Sequence, residues 1–131
     1  IMLKEKFHIE FTMGSATLAS LWRMISCIEG LAEWFADDVS ANEDDTIFTF
    51  YWGKSDSEAE IISVRTQQSI RFHWVDDEDD DSYFEFQLHK LELSKEIALQ
   101  ITDFAEPDEK ADAIALWEAQ IEEMKRQLGV L

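Results

Sequence analysis

Few side chains in this sequence have the chemistry to act on a ligand. Three histidines (His8, His73 and His89), one cysteine (Cys27), Arg65 and Tyr51 are the reactive singles. Six consecutive carboxylates at 76–81, within RFHWVDDEDDDSYFEF, are the one conspicuous cluster. A histidine can move a proton near neutral pH, a thiolate can attack a carbonyl, and grouped carboxylates can hold a hard cation. Each of these needs partners that the pattern does not supply. No nucleophile–base pair is readable, and no glycine-rich loop that would cradle a phosphate occurs. A single cysteine gives neither a disulfide nor a zinc-ligand spacing. A calcium loop of the EF-hand type needs oxygen ligands at alternate positions around a central glycine, between helices, and DDEDDD has neither feature. No catalytic residue, metal or cofactor is therefore assigned, and a non-catalytic protein is expected.

The elements that would position these groups follow from periodicity. KEKFHIEFT sets Phe7, Ile9 and Phe11 on one face and His8 and Glu10 on the other, the alternation of a half-buried strand. MGSATLASLWRMIS reads as a helix capped by Ser15, with Leu18, Leu21, Trp22 and Ile25 at helical spacing. Cys27 falls in this amphipathic stretch, where a thiol is expected to be buried as a small hydrophobe. IEGLAEWFADDVS reads as a second short helix, set off by Gly30, and ANEDD as a polar connection. Strand patterns then dominate: TIFTFYW, SEAEIISVRTQQ, SIRFHWV, SYFEFQLHKLEL and KEIALQITDFAE. In this parity His73 and His89 face outward, as does Tyr51. Arg65 faces outward too if Ile62 and Val64 are inward, although EIIS breaks the alternation and could hide a bulge. The acidic run joins two of these strands, so it is read as a solvated hairpin tip kept mobile by like-charge repulsion.

The C-terminal stretch changes period. After Pro107, Ile114, Trp117, Ile121, Met124 and Leu128 form one apolar stripe, with Lys125 and Arg126 in the last turns and Gly129 as the stop. About 20 residues at 1.5 Å each give roughly 30 Å, enough to cross a sheet. The expected architecture is α+β. A curved antiparallel sheet of about six strands is covered on one face by the long C-terminal helix, with two short helices after the first strand.

Two segments resemble a known family. CIEGLAEWFADDV is similar to the short helix ending in a Trp-Phe pair, and AIALWEAQIEEMKRQLGV to the terminal helix, of START-like (Bet v 1-like, helix-grip) domains. Within them the likeness is to bacterial relatives of the C-terminal domain of the activator of Hsp90 ATPase. Leu116 stands where that family often has Gly, and Ala36 and Asp37 where it often has Pro. The resemblance implies one START-like domain over 1–131, with a cavity between sheet and terminal helix. Many members bind lipids or other apolar molecules there, and others act as co-chaperones. The expected cavity residues are Trp34, Phe35, Phe50, Trp52, Phe72, Trp74, Phe84, Phe86, Ile114, Trp117 and Ile121, which either line an open space or fill it.

Charge narrows the partners. With 29 acidic and 11 basic residues, the formal charge is −18. Such a chain repels nucleic-acid phosphates and anionic membranes. Residues 29–60 hold ten acidic groups and one cation, Lys54. If their loops converge, they form an anionic rim that would steer a basic protein or a cationic ligand. Two functions are thus expected as alternatives, an apolar small-molecule binder and an acidic interaction module. No apolar run is long enough to span a membrane and the N-terminus lacks a secretory h-region, so a soluble cytoplasmic protein is expected. Ile1 reads as an addition ahead of a natural start at Met2.

Overall fold

The computed structural model describes residues 3–130, so the expected start at Ile1 and Met2 lies outside the described residues. The elements in order are β1 (Glu5–Thr12), α1 (Leu18–Ser26), α2 (Ile28–Trp34), β2 (Asp38–Ala41), β3 (Ile47–Trp52) and β4 (Ser55–Arg65). After these come β5 (Ser69–Trp74), β6 (Phe84–Lys90), β7 (Ile97–Ala105) and α3 (Lys110–Leu128). The seven strands form one antiparallel sheet in the order β1-β7-β6-β5-β4-β3-β2. Strands β2 to β7 are a run of hairpins, and β1 returns to close the far edge on β7. This is the α+β helix-grip arrangement, with one strand more than the sequence pattern places. The extra strand is β2, which the pattern merges into the second helix and the polar connection. Its Val39 and Ala41 pair with Phe50 and Phe48.

Register puts most of the apolar strand residues on one face. Phe86 lies opposite Ile101 and Ile70, Phe72 opposite Phe84 and Ile61, and Phe48 opposite Ala59. Helix α3 presents Trp117, Ile121 and Met124 to this face, and α1 and α2 add Leu21, Met24, Ile25, Leu31 and Trp34. Burial of this many large side chains, at about 1.5–3 kcal/mol each, is the main stabilising term. Gly129, at φ 72°, ends α3 in the left-handed conformation that glycine adopts without strain. Among the described residues, no helix is long and apolar enough to cross a membrane.

Several local expectations are corrected. Helix α1 is capped by Thr17, whose side chain accepts the Ser20 N–H, and not by Ser15. Cys27 is exposed, because it is the extended hinge residue between α1 and α2 and lies off the apolar face of both. Gly30 does not separate the two helices but sits within α2, where it touches α1 backbone. The break in EIIS is a bulge between Ile61 and Ser63. Ile62 and Val64 are both about half exposed: the bulge displaces Ile62, while Val64 keeps the inward parity opposite Ile70 near the end of β4. Arg65, paired with Ser69, remains on the outer face.

The outer face is polar but ordered. Arg71, Glu85, Thr102 and His8 lie in one row across β5, β6, β7 and β1. Arg71 donates to Glu85 at 2.9 Å and its guanidinium covers the Tyr83 ring at 3.9 Å. His8 shares a hydrogen bond with Thr102 at 2.8 Å, and His89 meets Glu10 at 3.0 Å. The histidines and Tyr51, which contacts Ser40 at 3.2 Å, therefore point away from the core.

The acidic run is indeed the tip of the β5–β6 hairpin, but it is not a loose one. Asp77 accepts from Lys4 Nζ at 2.9 Å, from Ser82 Oγ at 2.6 Å and from the Asp79 N–H at 2.9 Å. The Asp81 N–H in turn donates to Asp79 at 3.0 Å, and Ser82 is buried. Local side-chain to backbone bonds outweigh the repulsion because only Asp77 turns inward, while its neighbours face water. Burial alone would raise the Asp77 carboxyl. The bonds from Ser82, Lys4 and the Asp79 N–H, with the Lys4 charge, hold it at about 2 instead of the ordinary 3.8. Its folded value lies below its unfolded one, so its stabilisation is present above about pH 4 and is lost as pH falls through 2. Asp77→Ala should cost about 1–2 kcal/mol at pH 7, since it removes the shared acceptor of Lys4, the Asp79 N–H and Ser82, whose hydroxyl keeps only the Asp79 carbonyl at 2.9 Å. It should also lose less stability than wild type between pH 4 and 2. Equal urea midpoints for the two proteins at pH 7 would show that the clasp contributes nothing.

Candidate functional site

The aromatic residues expected to line a cavity divide into two groups. Phe50, Phe72, Phe84 and Phe86 are fully buried and packed ring on ring. Phe72 stacks on Phe84 at 4.9 Å between centroids, and Phe50 and Phe86 meet Phe72 edge-on at 6.1 and 6.2 Å. Ile121 is fully buried beside them, and Ile114 packs partly buried against the same core. Trp34 is tied in by its indole N–H, which donates to the Met24 carbonyl at 2.7 Å, and its ring meets Phe86 edge-on. These seven residues fill the middle of the molecule at the edge-to-face and offset spacings that aromatic rings favour.

The other four, Phe35, Trp52, Trp74 and Trp117, border a cleft of about 430 Å³. It opens at the end of the sheet where β3, β5 and β7 finish, under the first half of α3. Asp103, Ala113, Leu116 and Gln120 complete its lining. The wall is built from residues that end their elements. Phe35 follows the last residue of α2, and its carbonyl accepts both the Trp52 indole N–H at 2.8 Å and the Gln120 side chain at 3.1 Å. That one carbonyl ties α2, β3 and α3 together. The Phe35 ring stacks on Trp117 at 5.6 Å, with 13° between planes. Trp52 and Trp74 meet at 6.1 Å and 57°, so they form a corner rather than a stack.

Asp103 is a site residue that the sequence pattern did not single out. Ile97, Leu99 and Ile101 mark the inward face of β7, and Asp103 is the next residue of that parity, opposite Phe7. A single carboxylate on an otherwise apolar alternation is the available signal. Its Oδ2 accepts the Trp117 indole N–H at 2.9 Å, and its Oδ1 accepts the Phe104 N–H at 2.8 Å. Burial pushes this carboxyl above its ordinary value, while those two bonds and the more distant Lys4 charge pull the other way. Leu116, 61% exposed, also lies outside the expected stripe, yet it forms the lip of the cleft. Ala113 and Gln120 stand four before and three after Trp117, on the flank of the buried side of α3, and escape the apolar pattern because one is small and the other polar.

A second space, of about 490 Å³, lies across Trp74. It is lined by Lys4, Ser57, Glu58, Asp76, Asp77 and Glu78, and is polar where the cleft is apolar. The anionic rim expected from residues 29–60 does not gather in one place. The turns on either side of β3 lie at opposite ends of the sheet, which parts Glu43, Asp44 and Asp45 from Asp56 and Glu58. The charge at the cleft end comes from Asp37, Asp38, Asp56 and Glu58 together with the β5–β6 tip.

A START-like superfamily domain model matches residues 1–130. The chain belongs to the START-like superfamily. The solved structures agree with this membership. BfR322 from Bacteroides fragilis is 39% identical, with 99% of this chain and 95% of that one covered, at a TM-score of 0.69. The Aha1 dimer from Colwellia psychrerythraea is 14% identical, with 97% and 96% covered, at a TM-score of 0.73. Protein MLL2253 from Mesorhizobium loti is 16% identical, with 95% and 97% covered, at 0.72. The latter two likenesses are of fold alone. No curated protein matches the chain. In this START-like domain the rings beneath the middle of α3 are packed against one another, and the apolar cleft lies at one end.

Proposed function

We propose that this START-like domain binds an apolar small molecule in the cleft bordered by Phe35, Trp52, Trp74 and Trp117, without catalysing a reaction. The carrying observation is the cleft itself. Three indoles and a phenyl ring, with Ala113 and Leu116 of α3, surround about 430 Å³, within the range of small-molecule sites. The polar groups present, Asp103 and Gln120, are already bonded to indole or backbone partners and are placed to orient a ligand. No base faces a nucleophile across the space, so binding is the function these groups support.

A neutral environment-sensitive dye such as Nile red should bind with micromolar affinity, about 8 kcal/mol. Ala113→Trp puts a large ring into the opening from the partly exposed side of α3. It should weaken dye binding at least tenfold while leaving the urea midpoint close to that of wild type. Undiminished dye affinity in a folded Ala113→Trp variant would show that the cleft is not the site. The alternative, docking of a basic protein, is supported by Glu58, Asp76, Asp77 and Glu78 gathering beside the cleft. Such binding would weaken steeply with salt and would survive Ala113→Trp.

A further inference from the structure

We propose that the cleft selects a hydrophobic ammonium compound, with the cationic head between the Asp103 carboxylate and the indole rings of Trp52 and Trp74. The apolar remainder would lie along Ala113 and Leu116. This rests on the reading of the cleft as a small-molecule site and names the ligand's chemistry.

The first observation is a carboxylate without an ion-pair partner among the described residues. Of the eight residues lining the cleft, Asp103 alone is charged. Both its oxygens accept bonds, but from neutral donors, the Trp117 indole and the Phe104 backbone. Among the described residues, no lysine, arginine or histidine forms an ion pair with it. Lys4, whose charge reaches this end of the molecule, has its ammonium on Asp77 at 2.9 Å. A carboxylate drawn out of water into an apolar recess is stabilised by a cation brought to it, and each Asp103 oxygen retains a lone pair for that purpose. The cost of its burial shows in the upward shift of its titration.

The second observation is the wall. Aromatic rings present a negative face, and indole is the strongest of them toward cations. Trp52 and Trp74 are only partly buried and meet at 57°, so the corner between them faces the opening instead of being closed by stacking. Trp117 holds Asp103 by its edge, through the N–H. An ammonium head would thus meet a carboxylate and aromatic faces together, whereas a fatty-acid carboxylate would meet Asp103 as a like charge.

The third is the approach. The space beyond Trp74 carries four carboxylates and one ammonium, and the chain as a whole is −18. A field of this sign concentrates cations at the mouth and repels anions.

The test uses three ten-carbon probes that differ in the head group alone: decyltrimethylammonium, decanol and decanoate. Each is kept below its micelle-forming concentration. Affinities are measured by calorimetry and by the ¹⁵N–¹H indole resonances of the tryptophans. The ammonium should bind about tenfold or more tighter than decanol, and decanoate weakest. Asp103→Asn keeps an oxygen to accept from Trp117 but removes the charge. It should abolish the ammonium preference, so that the ammonium and decanol bind with about equal affinity. A paired change on the neighbouring surface, Asp76→Asn with Glu78→Gln, should lower ammonium affinity modestly, and only at low salt. In wild type the Trp117 indole N–H should shift on ammonium binding, a readout independent of any variant's folding. Equal affinity for ammonium and decanol in wild type would overturn the ammonium assignment and leave the apolar-ligand reading standing. The assignment also falls if the preference persists in Asp103→Asn, or if the surface pair abolishes it as fully. If none of the three binds, both readings fall.

Discussion

Trp117→Ala should lower the unfolding free energy by about 3–5 kcal/mol, the range for truncating a core aromatic. The indole is 6% exposed, stacks on Phe35 and meets Phe86 edge-on at 5.7 Å. Its loss would leave a void where α3, α2 and the sheet converge. It would also strip Asp103 of one of its two donors, adding an under-bonded carboxylate to the void. Trp117→Phe separates these effects, because it keeps a ring and removes the N–H, and should cost about 1–2 kcal/mol. Urea unfolding followed by far-UV circular dichroism measures both. A loss below about 1 kcal/mol for the alanine variant would mean that α3 does not depend on this anchor.

Gly30→Ala should destabilise the protein by about 2–3 kcal/mol, although alanine is the better helix former by about 1 kcal/mol. A Cβ at this position would lie 2.1 Å from the Arg23 carbonyl oxygen, 2.7 Å from its carbon and 2.8 Å from Met24 Cα. All three are backbone atoms of α1, which cannot swing aside as a side-chain end can. The two helices must part, and Met24, Leu31 and Trp34, all within the core, must move with them. The Trp34 bond to the Met24 carbonyl, which spans the same crossing, would stretch as well. A neutral or stabilising outcome in the same unfolding assay would mean that α1 and α2 are not held in register by this contact.

The parts of the fold legible in the sequence are those where one physical signal dominates. Strict alternation marks β1, β5, β6 and β7, and the 3–4 stripe of α3 states both its length and its buried side. Strand β2 is not legible. It is four residues long and follows a helix whose aromatic end masks the change of period, and the aspartates at 37 and 38 resemble a loop. Gly30 looks like a break because glycine lowers helix propensity. Its use as the contact point of a helix crossing depends on the angle between α1 and α2, which local sequence does not state. In the site, the rings are legible as inward residues but not as two sets. Parity says which face a side chain occupies, and only three-dimensional packing says whether another ring lies over it. Phe72 and Trp74 have the same parity, yet the first is sealed and the second borders the cleft. Asp103 is legible in principle, since a lone charge at an apolar parity asks for an explanation. Its place near the end of β7, where polar residues are ordinary, hides that signal.

The tie at the Phe35 carbonyl has a consequence for traffic in and out of the cleft. One oxygen receives both Trp52 and Gln120, so the back wall is pinned to β3 and α3 at once. Under the proposed function, a guest would enter by the front, past Leu116, without breaking either bond. Its occupancy would then be set by diffusion inward and by the strength of the contacts on the way out. Such a container would exchange its contents while the rest of the molecule stays shut.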